Sequence, residues 1–300
     1  MACEQRAPVT LRSRASRFVE LFRTTPAQTV CPNFYVLAHA SGCSFAPQCR
    51  YCYLKSSFWQ LRKPEVFTNI DQMLEDVKRW IARDNMETYL LNTGNLSDSL
   101  VFEENRPLVG ALVELFRQYA AGRRHTLLLL TKGGLRECNT LLEREPCDRV
   151  VVSFSVNCDA AAKEYENGVP APADRLQAAE TLLQKGWRVR LRIDPMIAGF
   201  DYTHTVDEVV RLRPERITLG TLRAEKSLPR FAEDGLFDKL EPPAVEGGMA
   251  RYPRALRMEM YRAAVDRLRD VAPIGLCEET ADVWDDLALD KDAKSCNCGE

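Results

Sequence analysis

Long apolar runs are missing from this chain. No stretch of about 18 consecutive apolar residues occurs, so no membrane partner is expected. An excess of one charge is missing too. Forty-one Lys and Arg face 43 Asp and Glu for a formal net charge of −2, so no bulk field draws the protein to nucleic acid or a lipid surface. The first residues, MACEQRAPVTLRSRASRFVELFRTT, hold arginines and serines but no apolar core of a secretory signal. Glu4 and Glu20 argue against an organelle transit peptide, and a cytoplasmic location is expected. Internal repeats and long low-complexity segments are also lacking.

Cysteine, by contrast, is plentiful: 11 in 300 residues. An odd count without a secretory signal points to reduced thiols or metal ligands rather than a disulfide framework. The thiols cluster. Cys43, Cys49 and Cys52 fall within CSFAPQCRYCYLK, while Cys296 and Cys298 form a CxC pair with Cys277 upstream. Cys3, Cys31, Cys138, Cys147 and Cys158 stand alone and read as small buried hydrophobes.

An apolar fraction of 45% can supply a real core, and its pattern is regular. Strand-like runs lie at 33–38, 88–92, 125–131, 149–156, 187–193 and 216–222, with a seventh in PIGLCEE. Segments with helical period separate them, among them NIDQMLEDVKRWIARD, PLVGALVELFRQYAAG, LRECNTLLERE, DRLQAAETLLQKG and TVDEVVRLR. This alternation implies an α/β fold with a parallel sheet, either an open doubly wound sheet or a partial barrel. Residues 1–30 read as an N-terminal extension and 31–223 as the α/β unit. Residues 224–300 read as a C-terminal extension: an irregular excursion over 224–252, a helix over 254–270 and a cysteine-bearing tail.

Either architecture collects its chemistry at the C-terminal strand ends. Those ends read HASGCSFAPQCRYCYLK, TGNLSDSL, TKGG, SFSVNCD, DPM and GTLRAEK, all polar or rich in small residues. Within WRVRLRIDP, Arg188, Arg190, Arg192 and Asp194 share one face, which suggests a polar lumen able to hold an anion; a solvated edge strand is the other reading. Three thiols in one loop are one short of a closed zinc site. They suit a cubane iron–sulfur cluster that keeps one iron open to a substrate or cofactor. A zinc ion completed by a distant His or Cys is the alternative.

The sequence resembles the radical S-adenosylmethionine enzymes, and within them the spore photoproduct lyase-like family, over residues 40 to 225. CRYCYL is similar to the family's cluster loop, LLTKGG to its strand-end lysine segment, and VVSFSVNCDAAAKEYENGVPAPADRLQAAETLLQKGWRVRLRIDPMI to its Ser-x-Asn, Glu and Arg-led helix. The interval of five residues between Cys43 and Cys49, rather than three, departs from the family pattern.

The resemblance implies a partial (β/α)6-type TIM barrel with N- and C-terminal extensions. It implies a 4Fe-4S cluster on Cys43, Cys49 and Cys52, with S-adenosyl-L-methionine chelating the fourth iron. Lys132, with Arg190 or Arg192, would meet the methionine carboxylate, and Ser155 and Asn157 the ribose. Asn95, where the family places an acid, with Ser97 and Asp98 nearby, would meet the amino group. The implied activity is reductive cleavage of the cofactor to a 5′-deoxyadenosyl radical, in a lyase-like or hydrogen-abstracting enzyme served by an electron donor such as flavodoxin or ferredoxin. The family's hydrogen-donating cysteine near the end of the second strand has no counterpart in LLNTGNLSD, so either Tyr51, Tyr53 or a C-terminal thiol takes that role or the reaction differs. Cys277, Cys296 and Cys298 could otherwise bind a second metal or iron–sulfur cluster. The mixed charges of LRAEKSLPRFAEDGLFDKLE favour a nucleoside or other small molecule over DNA as substrate. A non-catalytic zinc- or cluster-binding module on the same barrel is the competing expectation.

Overall fold

The protein is described here by a computed structural model covering residues 5–23, 25–232, 235–293 and 295–299; Cys3 lies outside them. Eight strands form the main sheet: β1 (Val19–Phe22), β2 (Phe34–Leu37), β3 (Leu90–Asn92), β4 (Thr126–Thr131), β5 (Val150–Val156), β6 (Arg188–Met196), β7 (Arg216–Thr221) and β8 (Ile274–Leu276). They lie side by side in chain order, β2 to β8 all parallel and β1 antiparallel along the edge of β2. The six expected strands and the seventh in PIGLCEE all form. Residues 19–22, placed by sequence in the N-terminal extension, add the eighth.

Helices Ile70–Ile81, Val109–Tyr119, Pro172–Lys185, Thr203–Leu212 and Arg254–Leu268 cover the outer face. Each presents its apolar positions to the sheet, for example Met73, Val77, Trp80 and Ile81 on the first. The expected helix in LRECNTLLERE shrinks to Asn139–Leu142, because Pro146 disfavours helical backbone at the residue before it and Gly133–Gly134 open the segment. Val189, Leu191 and Ile193 of β6 join the large core beneath the helices. Phe34, Val36, Leu90, Leu128 and Val151 make a small apolar floor inside the curve of the sheet. The register pairs Ser153 with Arg190 and Ser155 with Arg192, so the polar residues of β5 and β6 form rows on the inner face.

Two segments close the arc. Residues 26–31 run beside 278–280, with Thr29 bridged to Thr280 and the Val30 N–H donating to the Glu279 carbonyl at 2.9 Å. The tail folds back under β8, where the Ser295 hydroxyl donates to the Ile274 carbonyl at 2.6 Å. Among the described residues no helix is long and apolar enough to cross a membrane.

Candidate active site

A cavity of about 570 Å³ opens at the C-terminal ends of the parallel strands, within the size range of small-molecule sites. Cys43, Cys49 and Cys52 all line it. The loop that carries them is pinned at several points. Phe45–Ala46 pairs antiparallel with Gln5–Arg6, and the Arg6 guanidinium sits 4.0 Å over the Phe45 ring. The two extra residues between Cys43 and Cys49 therefore extend a segment that an N-terminal strand holds. The Cys52 N–H donates to the Cys49 carbonyl at 3.0 Å, a tight turn that turns both thiols toward one space. Burial pushes all three thiols up, Cys49 to about 12, so without a bound metal they are protonated. Bound metal would supply the positive charge that their deprotonation requires. Among the described residues no three His, Cys, Asp or Glu side chains stand close enough together to hold a metal ion as they are. The donor set, three thiols on one loop lining an open cavity, is one short of a closed zinc site and would fit a cluster that keeps one iron open.

The next strand ends meet at a carboxylate the sequence reading left without a role. Glu166 is buried, and Lys132 Nζ reaches its Oε1 at 3.1 Å while Arg175 meets its Oε2 at 2.6 Å. Asn157 Nδ2 donates to Oε1 at 3.1 Å, and the Tyr51 hydroxyl donates there as well. Lys132 also donates to the Ser155 hydroxyl at 3.2 Å. Burial alone would raise Glu166, but Arg175, Lys132 and these donors hold its carboxyl well below the usual range. Lys132, Ser155, Asn157 and Tyr51 are thus one constellation. Its signal was present in the sequence as the Glu and Arg spaced after the Ser-x-Asn.

The loop after β3 is organised by its own acid. Asp98 accepts from the Leu100 N–H at 2.9 Å, the Lys132 N–H at 2.8 Å and the Thr131 hydroxyl at 2.9 Å, which ties the β3 and β4 ends together. Burial shifts its carboxyl upward against those donors. Ser97 meets His39 Nε2 at 2.8 Å, and Arg106 donates to His39 Nδ1 at 3.0 Å, so the buried imidazole is neutral and fixes this loop from below. Asn95 lines the cavity, and its carbonyl accepts from the Tyr53 hydroxyl.

The arginine row of β6 divides. Arg188 pairs with Glu215 at 2.7 Å near the surface. Arg190, with no exposed side chain, meets Glu215 at 2.9 Å and donates to the tail carbonyls of Asn297 at 2.7 Å and Gly299 at 2.9 Å. Arg192 alone of the three reaches the cavity wall, where it pairs with Asp194. Arg223, missed in the sequence, completes this wall: it meets Asp194 at 2.7 Å and Glu278 at 2.5 Å. The C-terminal thiols part as well. Cys277 and Cys298 line the cavity with Cys31, whereas Cys296 is buried beneath β8.

The spore photoproduct lyase family model matches residues 17–220. Curated relatives named spore photoproduct lyase are similar at 21% identity in Clostridium acetobutylicum, over 66% of this chain and 56% of that protein, and at 22% in Bacillus subtilis, over 61% and 53%. The chain spans just over half the length of these relatives in the matched region. Among solved structures, spore photoproduct lyase complexed with dinucleoside spore photoproduct superposes with a TM-score of 0.72 at 17% identity, covering 91% of this chain and 82% of that one. A spore photoproduct lyase mutant with bound AdoMet and dinucleoside spore photoproduct gives 0.73 at 16% identity and the same coverage. The partial barrel is therefore the fold of these proteins, and the chain belongs to the spore photoproduct lyase family.

Proposed function

We propose that this protein is a radical S-adenosylmethionine enzyme acting on a nucleoside- or dinucleoside-sized substrate. The observation that carries the reading is that the Cys43, Cys49 and Cys52 thiols line one cavity together with Lys132 and Ser155, the lysine held from behind by buried Glu166, which Asn157 also meets. The three thiols would hold a 4Fe-4S cluster. Lys132 and Arg192 are the cations for the cofactor's carboxylate, Ser155 the neutral partner for its ribose, and the Asn95–Asp98 loop the acceptors for its amino group, while Asn157 does not line the cavity and holds Glu166 behind it. Such a cluster with its sulfonium cofactor would supply, on reduction, a 5′-deoxyadenosyl radical. The protein's part is to place that carbon beside the substrate and to keep water out of the lumen.

A flavodoxin- or ferredoxin-like protein is the electron donor this reading requires. This reading needs one cluster per chain, on Cys43, Cys49 and Cys52. The paired charges of the β6–β8 wall, Arg192 and Arg223 against Asp194 and Glu278, suit a polar, nearly neutral substrate edge better than a polyanion.

The test is anaerobic reconstitution followed by reduction with S-adenosylmethionine, first alone and then with dinucleoside spore photoproduct or free nucleosides. About four irons per chain and release of 5′-deoxyadenosine are expected. A colourless protein with one bound zinc and no 5′-deoxyadenosine would leave the zinc module as the answer.

A further inference from the structure

Outside the iron-binding loop, the cavity wall carries thiols from distant parts of the chain, and one of them is set apart. Cys277 follows the last parallel strand, β8, at the edge of the sheet where the rest of the site is assembled. Its sulfur is an acceptor twice over: Arg223 donates to it at 3.0 Å and Arg192 at 3.4 Å. Among the described residues no acceptor stands within hydrogen-bond reach of its own S–H, so that hydrogen is uncommitted. The hydroxyls of the two cavity tyrosines and the thiol of Cys31 are engaged elsewhere. The Tyr51 hydroxyl donates to Glu166 and the Tyr53 hydroxyl to the Asn95 carbonyl. Cys31 points its thiol at the Pro32 carbonyl, 3.8 Å away. Cys298 packs against the apolar floor of Phe34, Val36, Leu90, Leu128 and Val151.

We propose that Cys277 is the hydrogen-atom donor of this cavity, the group that ends radical chemistry there. This rests on the function proposed above. In the step, the Cys277 S–H bond breaks homolytically and its hydrogen forms a C–H bond on a carbon-centred radical. A thiyl radical remains on Sγ. One electron from the flavodoxin- or ferredoxin-like donor, or from dithionite in vitro, together with one proton from water, restores the thiol. The two guanidiniums hold the sulfur in place through its lone pairs and leave the hydrogen free to face the cavity. Burial opposes ionisation of the thiol, which keeps the donatable form present.

Solvent deuterium reads this out without knowledge of the substrate, because a thiol exchanges its hydrogen with water. Reconstituted protein turned over in D2O with S-adenosylmethionine and dithionite should release 5′-deoxyadenosine carrying one deuterium. In Cys277→Ala and Cys277→Ser that label should fall about tenfold while total 5′-deoxyadenosine stays within about twofold. Cys298→Ala should keep the label. Undiminished deuterium in both Cys277 variants would overturn the assignment.

A second measurement needs no cluster. In the metal-free protein, alkylation of Cys277 by iodoacetamide, followed by peptide mass spectrometry, should slow when 5′-deoxyadenosine is added, because the thiol faces the ligand's place. An unchanged rate would count against the proposal. If Cys277 is protected but neither wild type nor variant ever forms 5′-deoxyadenosine, the function proposed above fails and the donor role with it. Unlabelled 5′-deoxyadenosine sinks the donor role alone.

Discussion

Glu166 shows how much one buried carboxylate can organise. Lys132, Arg175, Asn157 and Tyr51 all address it, and without it two cations would face a low-dielectric interior unpaired. Glu166→Gln keeps the shape and removes the charge. It is expected to destabilise the protein by about 3–5 kcal/mol near neutral pH, measured by urea unfolding. The effect has a pH signature. The carboxyl lies below its usual range in the folded protein, so its contribution is complete above the unfolded-state value of about 4.3 and drains as pH falls below it. The stability gap between wild type and Glu166→Gln should therefore narrow between about pH 7 and about pH 3. A gap that stays constant over that interval would show that the charge is not what Glu166 contributes.

Between elements, the decisive contact joins the segment after Glu166 to the cluster loop. A Cβ added at Gly168 would stand 2.1 Å from the Pro47 carbonyl oxygen and 2.5 Å from the Ala46 carbonyl carbon. Both are backbone atoms of the loop between Cys43 and Cys49, so neither can swing aside. Gly168→Ala should cost about 1–3 kcal/mol and lower the iron taken up on reconstitution, because the loop must shift to admit the methyl group. Thermal unfolding and iron assay check this; normal iron content would show that the loop's position does not depend on this approach. The same contact marks the boundary of what could be read from sequence. Periodicity located every parallel strand, most of them as continuous apolar runs buried on both faces and β6 as an alternation of arginine with Val189, Leu191 and Ile193. It also located the site's edge, since each strand end turns polar where the backbone leaves the sheet. It was silent on Gln5–Arg6 and Phe45–Ala46, a strand pair of two residues each, too short to carry a period. Arg223 escaped, and Glu166 and Arg175 stood in a motif without a role, for another reason: nothing local distinguishes a buried charge from a solvated one until its partner, far away in sequence, is placed. Arg190 makes the point from the other side. Its alternation with Val189 and Leu191 put it on the inner face, yet only the folded tail shows that its donors are used by carbonyls of residues 297 and 299.

Across the whole molecule, an open arc of strands must be closed if a reactive lumen is to stay dry, and the protein closes it with parts remote in sequence. The seam between β8 and the start of the sheet is covered by residues 26–31 lying on 278–280. The floor is covered by the tail. The tail fits because β8 carries Gly275, where a Cβ would stand 2.3 Å from the Cys296 backbone, and because Arg190 is buried with its donors aimed at the tail carbonyls. Removing residues 295–300 would uncover Gly275 and the apolar floor and leave Arg190 with Glu215 as its remaining partner. Each charge-assisted bond contributes about 1.5–3 kcal/mol, so the loss of two, eased by water entering the gap, should cost about 2–4 kcal/mol in urea unfolding. The more telling consequence is access. Cys31 and Cys277, which face the cavity from the seam, should be alkylated faster in the truncated protein, whereas Cys138, fully buried beneath the helices, should not change. Equal rates in the two proteins would mean that the tail is an appendage rather than the floor of the lumen, and that the cavity is sealed by the seam alone.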